Sequence, residues 1–200
     1  MRIVAGRLKG ARLAAPGVHG GGGAHLRPTS DRVRESLFNL LAHGDYPDID
    51  GLRVLDLFAG TGALGLEALS RGARHAVFID EGVTARALIR ENIETLGVTR
   101  QTKLWRRDAT RLGPCRGAPF DLIFADPPYG KGLGISALGS ARAGGWIAPR
   151  AVVVLEESAD ADWALPEGLA QCDDRTYGDT RVVIMQDTAD DGLGPWRGAE

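Results

Sequence analysis

Cysteine is almost missing from this chain of 200 residues. Cys115 and Cys172 stand far apart, with no CxxC pair and no histidine at ligand spacing, so neither a disulfide framework nor a thiolate metal site is indicated. Both read as reduced thiols, and no metal is expected. Long apolar runs are missing too: no stretch approaches the ~18 residues that a membrane span requires, and the opening MRIVAGRLKG lacks the apolar core of a secretory signal. A cytoplasmic protein with no membrane partner is expected. No internal repeat is visible, which leaves a solenoid or propeller without support. A strong net charge is the last thing lacking, since the total is −2.

That total hides an asymmetry. Residues 1–34 hold seven basic groups (Arg2, Arg7, Lys9, Arg12, Arg27, Arg32, Arg34) against one acid, Asp31, which makes +6 and leaves −8 for the rest. A basic arm on an acidic body suits a polyanion held at one end of the molecule, although such a stretch can also be simply solvated. With 44% apolar residues the body can fill one core. The organisation expected is a basic arm or hairpin over 1–28, one domain over 29–186 and a disordered tail over 187–200, the whole a monomer.

Within the arm, RIVAGRLKGARLAAP alternates around Gly6 and Gly10, as a short hairpin or extended segment would, and 17–25 is a glycine-rich loop. Thr29 or Ser30 can cap a helix that Gly44 ends, with Val33, Leu37, Leu40 and Leu41 as its buried stripe and with Arg32 and Arg34 off it. From Gly51 onward, strands (52–58, 75–80, 102–105, 120–126, 151–157, 169–176, 180–186) alternate with helices near 62–71, 84–96 and 132–143. Runs such as VVVL imply strands covered on both faces. Successive βα units imply a doubly wound, mostly parallel seven-stranded α/β sheet, Rossmann-like, and the short YGD link imposes an antiparallel hairpin at one edge.

In such a sheet, ligands gather beyond the carboxyl ends of the strands. Strand one ends in DLFAGTGALG, where Gly60, Gly62 and Gly65 match GxGxxG and Asp80 follows 20 residues after Gly60, the place of a ribose-binding acid. A carboxylate at Asp56 is unhelpful beside a pyrophosphate but suits a ligand with a cationic amino-acid end. S-adenosylmethionine is such a ligand. Asp108 and Ala109 are then placed to receive an adenine amino group, and Phe58, Thr61 and Glu81, which flank these positions, join the cofactor set.

Strand four runs into Asp126-Pro127-Pro128-Tyr129. A chain that only had to turn would use Gly, Asn or Ser, because Pro-Pro removes two donors and fixes two φ angles. Here the Asp126 carboxylate and the Pro127 carbonyl form adjacent acceptors on a stiffened backbone, able to hold both hydrogens of an exocyclic amine, and Tyr129 offers a face for a base to stack on.

Together VLDLFAGTGALGLEALSRGA, DPPY and RPTSDRVRESLFNLL resemble the bacterial 16S ribosomal RNA guanine-N2 methyltransferases of the RsmD type. The order matches from Met1 to about Gln186, and RPTSDRVRE is the most specific segment. The resemblance implies a class I methyltransferase fold, S-adenosylmethionine as donor and a guanine of the small subunit or its assembly intermediate as acceptor. It assigns Asp56, Gly60, Gly62, Asp80 and Asp108 to the cofactor and Asp126, Pro127 and Tyr129 to the base. Arg2, Arg7, Lys9, Arg12, Arg27, Thr29 and Arg32 are the expected RNA contacts. Three alternatives stand beside it: an adenine 6-amino methyltransferase, a nucleotide-dependent oxidoreductase that would leave DPPY and the arm idle, and an inactive RNA-binding module.

Overall fold

The computed structural model describes residues 1–16 and 30–189. The 17–25 loop, Arg27, Thr29 and the end of the tail lie outside the described residues.

The elements follow the expected alternation: α1 (Asp31–His43), β1 (Arg53–Leu57), α2 (Ala63–Ser70), β2 (His75–Ile79), α3 (Val83–Thr95), β3 (Thr102–Trp105), β4 (Phe120–Ala125), α4 (Leu133–Ala143), β5 (Ile147–Ser158), β6 (Leu169–Tyr177) and β7 (Thr180–Asp187). They form one seven-stranded sheet of order β3-β2-β1-β4-β5-β7-β6. The first five strands in that order run parallel, and β7 is antiparallel to both β5 and β6. The doubly wound sheet with an edge hairpin is thus as the sequence implies. Strand order reverses between β1 and β4, which opens a crevice at their carboxyl ends.

Neighbouring residues of one strand face opposite layers, and both layers are apolar, so strands such as β4 and β5 read as continuous hydrophobic runs. On one side Val54, Phe124, Val154 and Ile184 pack against α1, α2 and α3; on the other Leu57, Ile123, Val153 and Leu155 pack against α4 and Trp146. One of the glycines of α4 is required by packing. A Cβ on Gly134 would lie 2.5 Å from Leu155 Cδ1 and 3.2 Å from Pro127 Cγ. β5 begins four residues before the expected 151, at Ile147; its register against β4 shifts between Phe120 and Leu122, and Arg150 takes a φ of 62° at the irregularity. β7 continues to Asp187, and Thr188 still donates to the Gly168 carbonyl (3.0 Å), so ordered backbone extends past the expected start of the tail.

Two findings concern the N-terminal region. α1 is capped by Ser30, whose Oγ accepts from Val33 N–H at 3.2 Å, and stops at Gly44. Its buried face is Arg34, Leu37, Phe38 and Leu41, so the expected stripe is rotated and Arg34 belongs to it. A guanidinium that is 0% exposed is tolerated because Glu67 of α2, also fully buried, lies 3.5 Å from its Nε, and because Asp31 (2.8 Å) and the Arg2 carbonyl accept from its Nη2.

Residues 1–13, for their part, form a docked hairpin. Arg2 and Arg12 are bridged antiparallel, Ile3 and Leu13 enter the core, and the backbone lies along α2. Val4 and Ala5 N–H groups donate to the Glu67 carboxylate (2.8 and 2.9 Å), while Leu8 N–H reaches Ser70 Oγ (3.0 Å). Gly6, at φ 79°, approaches the Ser70 carbonyl so closely that a Cβ would collide with it.

Candidate active site

β1 delivers the chain to the crevice at Leu57, and the next five residues turn sharply. Phe58 is held at φ 59°, Gly60 at 58° and Gly62 at 78°. A non-glycine residue in the left-handed region carries strain that surrounding contacts must hold. α2 then starts with Gly62 as an N-cap that has no side chain to offer. Asp56 supplies what Gly62 lacks, reaching from beneath so that its Oδ2 accepts from Gly65 N–H, the third amide of the helix, at 2.9 Å. The third glycine of the fingerprint makes room: a Cβ there would lie 2.5 Å from Phe78 Cε1 and 3.2 Å from Asp56 Oδ2.

Asp56 is 1% exposed, so the structure seats it under the loop and not on the crevice wall. Burial pushes its carboxyl up to about 8, the Gly65 N–H bond pulls the other way, and the nearby Asp80 charge adds a smaller upward push.

Asp80 follows β2 on the neighbouring strand. Its two carboxylate oxygens accept from Gly60 N–H (2.9 Å) and Gly82 N–H (2.7 Å), which lashes the glycine loop to the end of β2. Each oxygen retains a second lone pair for a hydroxyl. Arg86, unforeseen from sequence, fixes this corner by donating to the Asp80 (3.5 Å) and Glu81 carbonyls. Farther out, Asp108 caps the 3-10 turn at 109–111; its Oδ1 accepts from Thr110 Oγ1 (2.7 Å) and N–H (2.8 Å), and these bonds hold the carboxyl below its usual range. Ala109 is buried beside it.

On the other side of β1, Asp126 N–H reaches the Leu57 carbonyl at 3.4 Å, so the DPPY segment leaves β4 directly beside the start of the glycine loop. Pro127 is buried against α4 and Pro128 is exposed. Tyr129 is half-buried with its hydroxyl tied down, donating to Glu156 Oε1 (2.6 Å) and accepting from Thr180 Oγ1 (3.2 Å). Burial, with the Glu156 bond next, raises its phenol well above the usual range, so the ring stays neutral. Gly130 N–H donates to Glu157 Oε1 at 2.9 Å. Behind this turn a cavity of about 290 Å³ is lined by Leu155, Glu157, Asp160 and Trp163, among others, and its carboxylates make it hostile to phosphate.

The structure thus gathers Asp56, Phe58, Gly60, Thr61, Gly62 and Asp80 around one turn and sets Asp126 to Tyr129 across the strand from it, with Glu81 exposed at the rim. Asp108 and Ala109 lie at the far edge, after β3. Arg2, Lys9, Arg12 and Arg32 are exposed; Arg7 is exposed as well, although its guanidinium donates to Gln101 Oε1 (2.5 Å). Sequence reasoning missed Asn92, whose only signal was an amide at helical spacing from Ala85, Ile89 and the adjacent Ile93 on the buried face of α3.

A glycine-rich turn at the switch point, an acid closing the next strand and an Asp-Pro-Pro-Tyr turn across from it define a class I methyltransferase. The family described as conserved hypothetical protein 95 matches residues 1–186, and the chain belongs to it. It is 36% identical over 172 residues to ribosomal RNA small subunit methyltransferase D of Escherichia coli strain K12, covering 82% of each chain. With the protein of that name from Haemophilus influenzae it shares 33% over 189 residues, 93% of each. The solved structure of Escherichia coli yhhF superposes with a TM-score of 0.79 at 31% identity, covering 95% of this chain and 99% of that one.

Proposed function

We propose that this protein transfers a methyl group from S-adenosylmethionine to the exocyclic 2-amino group of a guanine in 16S ribosomal RNA, within the small subunit or an assembly intermediate. The observation that carries the reading is the adjacency of the DPPY turn to the glycine loop across β1 and β4, which brings an amine-holding site to the edge of a nucleoside-holding one. The names and lengths of the relatives support it.

The residues fit the donor. Asp80 has lone pairs to spare for a ribose diol, Asp108 and Ala109 stand where an adenine edge would rest, and the left-handed glycines let the backbone approach closely. When bound, S-adenosylmethionine supplies an electrophilic methyl on a sulfonium. The chain's residues prepare the acceptor. The lone pair of a nucleobase amine is delocalised into the ring; bonding its two hydrogens to the Asp126 carboxylate and the Pro127 carbonyl turns the pair toward the methyl. As the N–C bond formed and the S–C bond broke, the donor would leave as a neutral thioether and the nitrogen would become cationic; the Asp126 carboxylate, already bonded to one of its hydrogens, would then take the proton. Asp126 therefore need not deprotonate the neutral amine, a far weaker acid. Tyr129, its hydroxyl fixed by Glu156 and Thr180, presents a face for stacking worth ~1–3 kcal/mol.

The deciding experiment is transfer of tritiated methyl to isolated small subunits, followed by nuclease digestion. N2-methylguanosine is the expected product. Label on adenosine would transfer the same chemistry to another base, and no label on RNA would end the reading.

A further inference from the structure

Asn92 lies near the end of α3, is 1% exposed, and turns its carboxamide away from its own helix. Its Oδ1 accepts from Ala14 N–H at 2.7 Å, and its Nδ2 donates to the Ala14 carbonyl at 3.2 Å and to the Thr61 carbonyl at 2.9 Å. One carboxamide thus joins two backbone segments that are distant in sequence. Ala14 is where the N-terminal hairpin ends, one residue after Leu13 N–H closes on the Met1 carbonyl (3.2 Å). Thr61 is the residue between the two left-handed glycines of the cofactor loop. No helix sets the direction of a peptide in that position, so the bond from Asn92 does. At the other end of the hairpin, Met1 Sδ lies 3.8 Å from Thr61 Oγ1.

We infer that Asn92 is a positioning residue that locks the cofactor loop to the N-terminal hairpin, so that RNA held on the hairpin and S-adenosylmethionine seated on the loop bind cooperatively. The inference rests on the proposed function for the identity of the two ligands. Its physical basis is shared ordering. A hairpin immobilised against RNA holds Ala14, Ala14 holds the Asn92 amide, and the amide holds the Thr61 peptide. A cofactor then meets a loop whose ordering has already been achieved, and linkage requires the converse effect to be equal. Asparagine suits the task because it offers an acceptor and two donor hydrogens from one planar group. Aspartate at this position would keep only the acceptor for Ala14 N–H.

The test measures S-adenosylmethionine affinity calorimetrically, with and without saturating isolated small subunits, for the wild-type chain and for Asn92→Asp and Asn92→Ala. In the wild type, subunits should tighten cofactor binding by roughly 5-fold or more, the lower end of typical coupling. Asn92→Asp, folded by thermal melt and near-ultraviolet dichroism, loses both Nδ2 bonds and should bind cofactor ~3–10-fold more weakly, as expected for loss of the buried bond to Thr61 on the cofactor loop, and the ratio with and without subunits should fall toward 1. A residue that only cements the core would lower the melting temperature and leave that ratio unchanged, which would overturn the inference, as would a wild-type ratio of 1. If neither variant folds, hydrogen exchange of the wild-type 60–63 amides decides: slowing on subunit addition supports the coupling and no change refutes it. Failure of the proposed function is separable, because it appears as absence of methyl on guanine in the wild type, whereas failure of the coupling leaves methylation intact.

Discussion

Asp80 and Asp126 close two strands that flank β1, one on each side of the glycine loop, and their substitution should separate donor from acceptor. Asp126→Ala removes an acceptor from the reacting amine; turnover should fall by ~10²–10³-fold while calorimetric affinity for S-adenosylmethionine stays close to wild type. Asp80→Ala gives up charge-assisted bonds of ~1.5–3 kcal/mol each and frees the Gly60 amide, so cofactor affinity should drop sharply with RNA affinity retained. Asp56 gives a prediction in pH. Its folded carboxyl, at about 8, lies above the ordinary value, so the native state binds a proton that the unfolded chain releases near 3.8. That contribution to stability is complete in acid and is lost as pH rises through 8. Without cofactor, thermal melts should therefore show wild type losing ground to Asp56→Asn between pH 5 and pH 8. A gap that stays constant over that range would mean that the acid is ionised throughout. What was legible here was local. Asp56, Asp80, Asp108 and Asp126 each stand at the end of a recognisable strand, so their positions could be read directly; their partners could not.

At the scale of elements, Glu67 joins three pieces of structure. It accepts from the hairpin amides of Val4 and Ala5, pairs with buried Arg34 of α1, and takes the Arg71 guanidinium at 3.0 Å from its own helix. Breaking such a cluster strands a buried charge, so Glu67→Ala should cost about 3–5 kcal/mol in a urea titration. An Arg34→Met, Glu67→Leu double variant, which removes both fully buried charges together, should recover part of that loss. The rotated face of α1 has the same origin. Apolar spacing pointed to Val33 and Leu40, whereas the pairing of Arg34 with a residue 33 positions away turned the helix the other way.

For the molecule as a whole, residues 1–13 are a docked basic surface, since their backbone bonds and the side chains of Ile3 and Leu13 are committed to the body while Arg2, Lys9 and Arg12 stay exposed. Neutralising these three together should weaken binding to small subunits and reduce the slope of log affinity against log salt by up to ~0.7 per lost contact to single-stranded RNA. The Glu67 and Asn92 bonds to the hairpin backbone persist in that variant, so cofactor affinity measured without RNA should be unchanged. An unaltered salt slope with normal methylation would mean that the charges serve solubility alone.

The alternation of apolar strands with helical periods, the glycine turn, the acids that end strands and the stiff DPPY segment were determined by the sequence itself, because each depends on residues within a few positions of one another. Strand order, and with it the adjacency of glycine loop and DPPY turn, arises only when β4 inserts beside β1, 63 residues from Leu57 to Phe120 along the chain. The burial of Arg34, the tether of the Tyr129 hydroxyl to Glu156 and Thr180, and the grip of Asn92 on Ala14 and Thr61 were likewise decided by tertiary structure. Burying a polar group costs little only where partners meet it, and those of Tyr129 and Asn92 lie between 27 and 78 residues away.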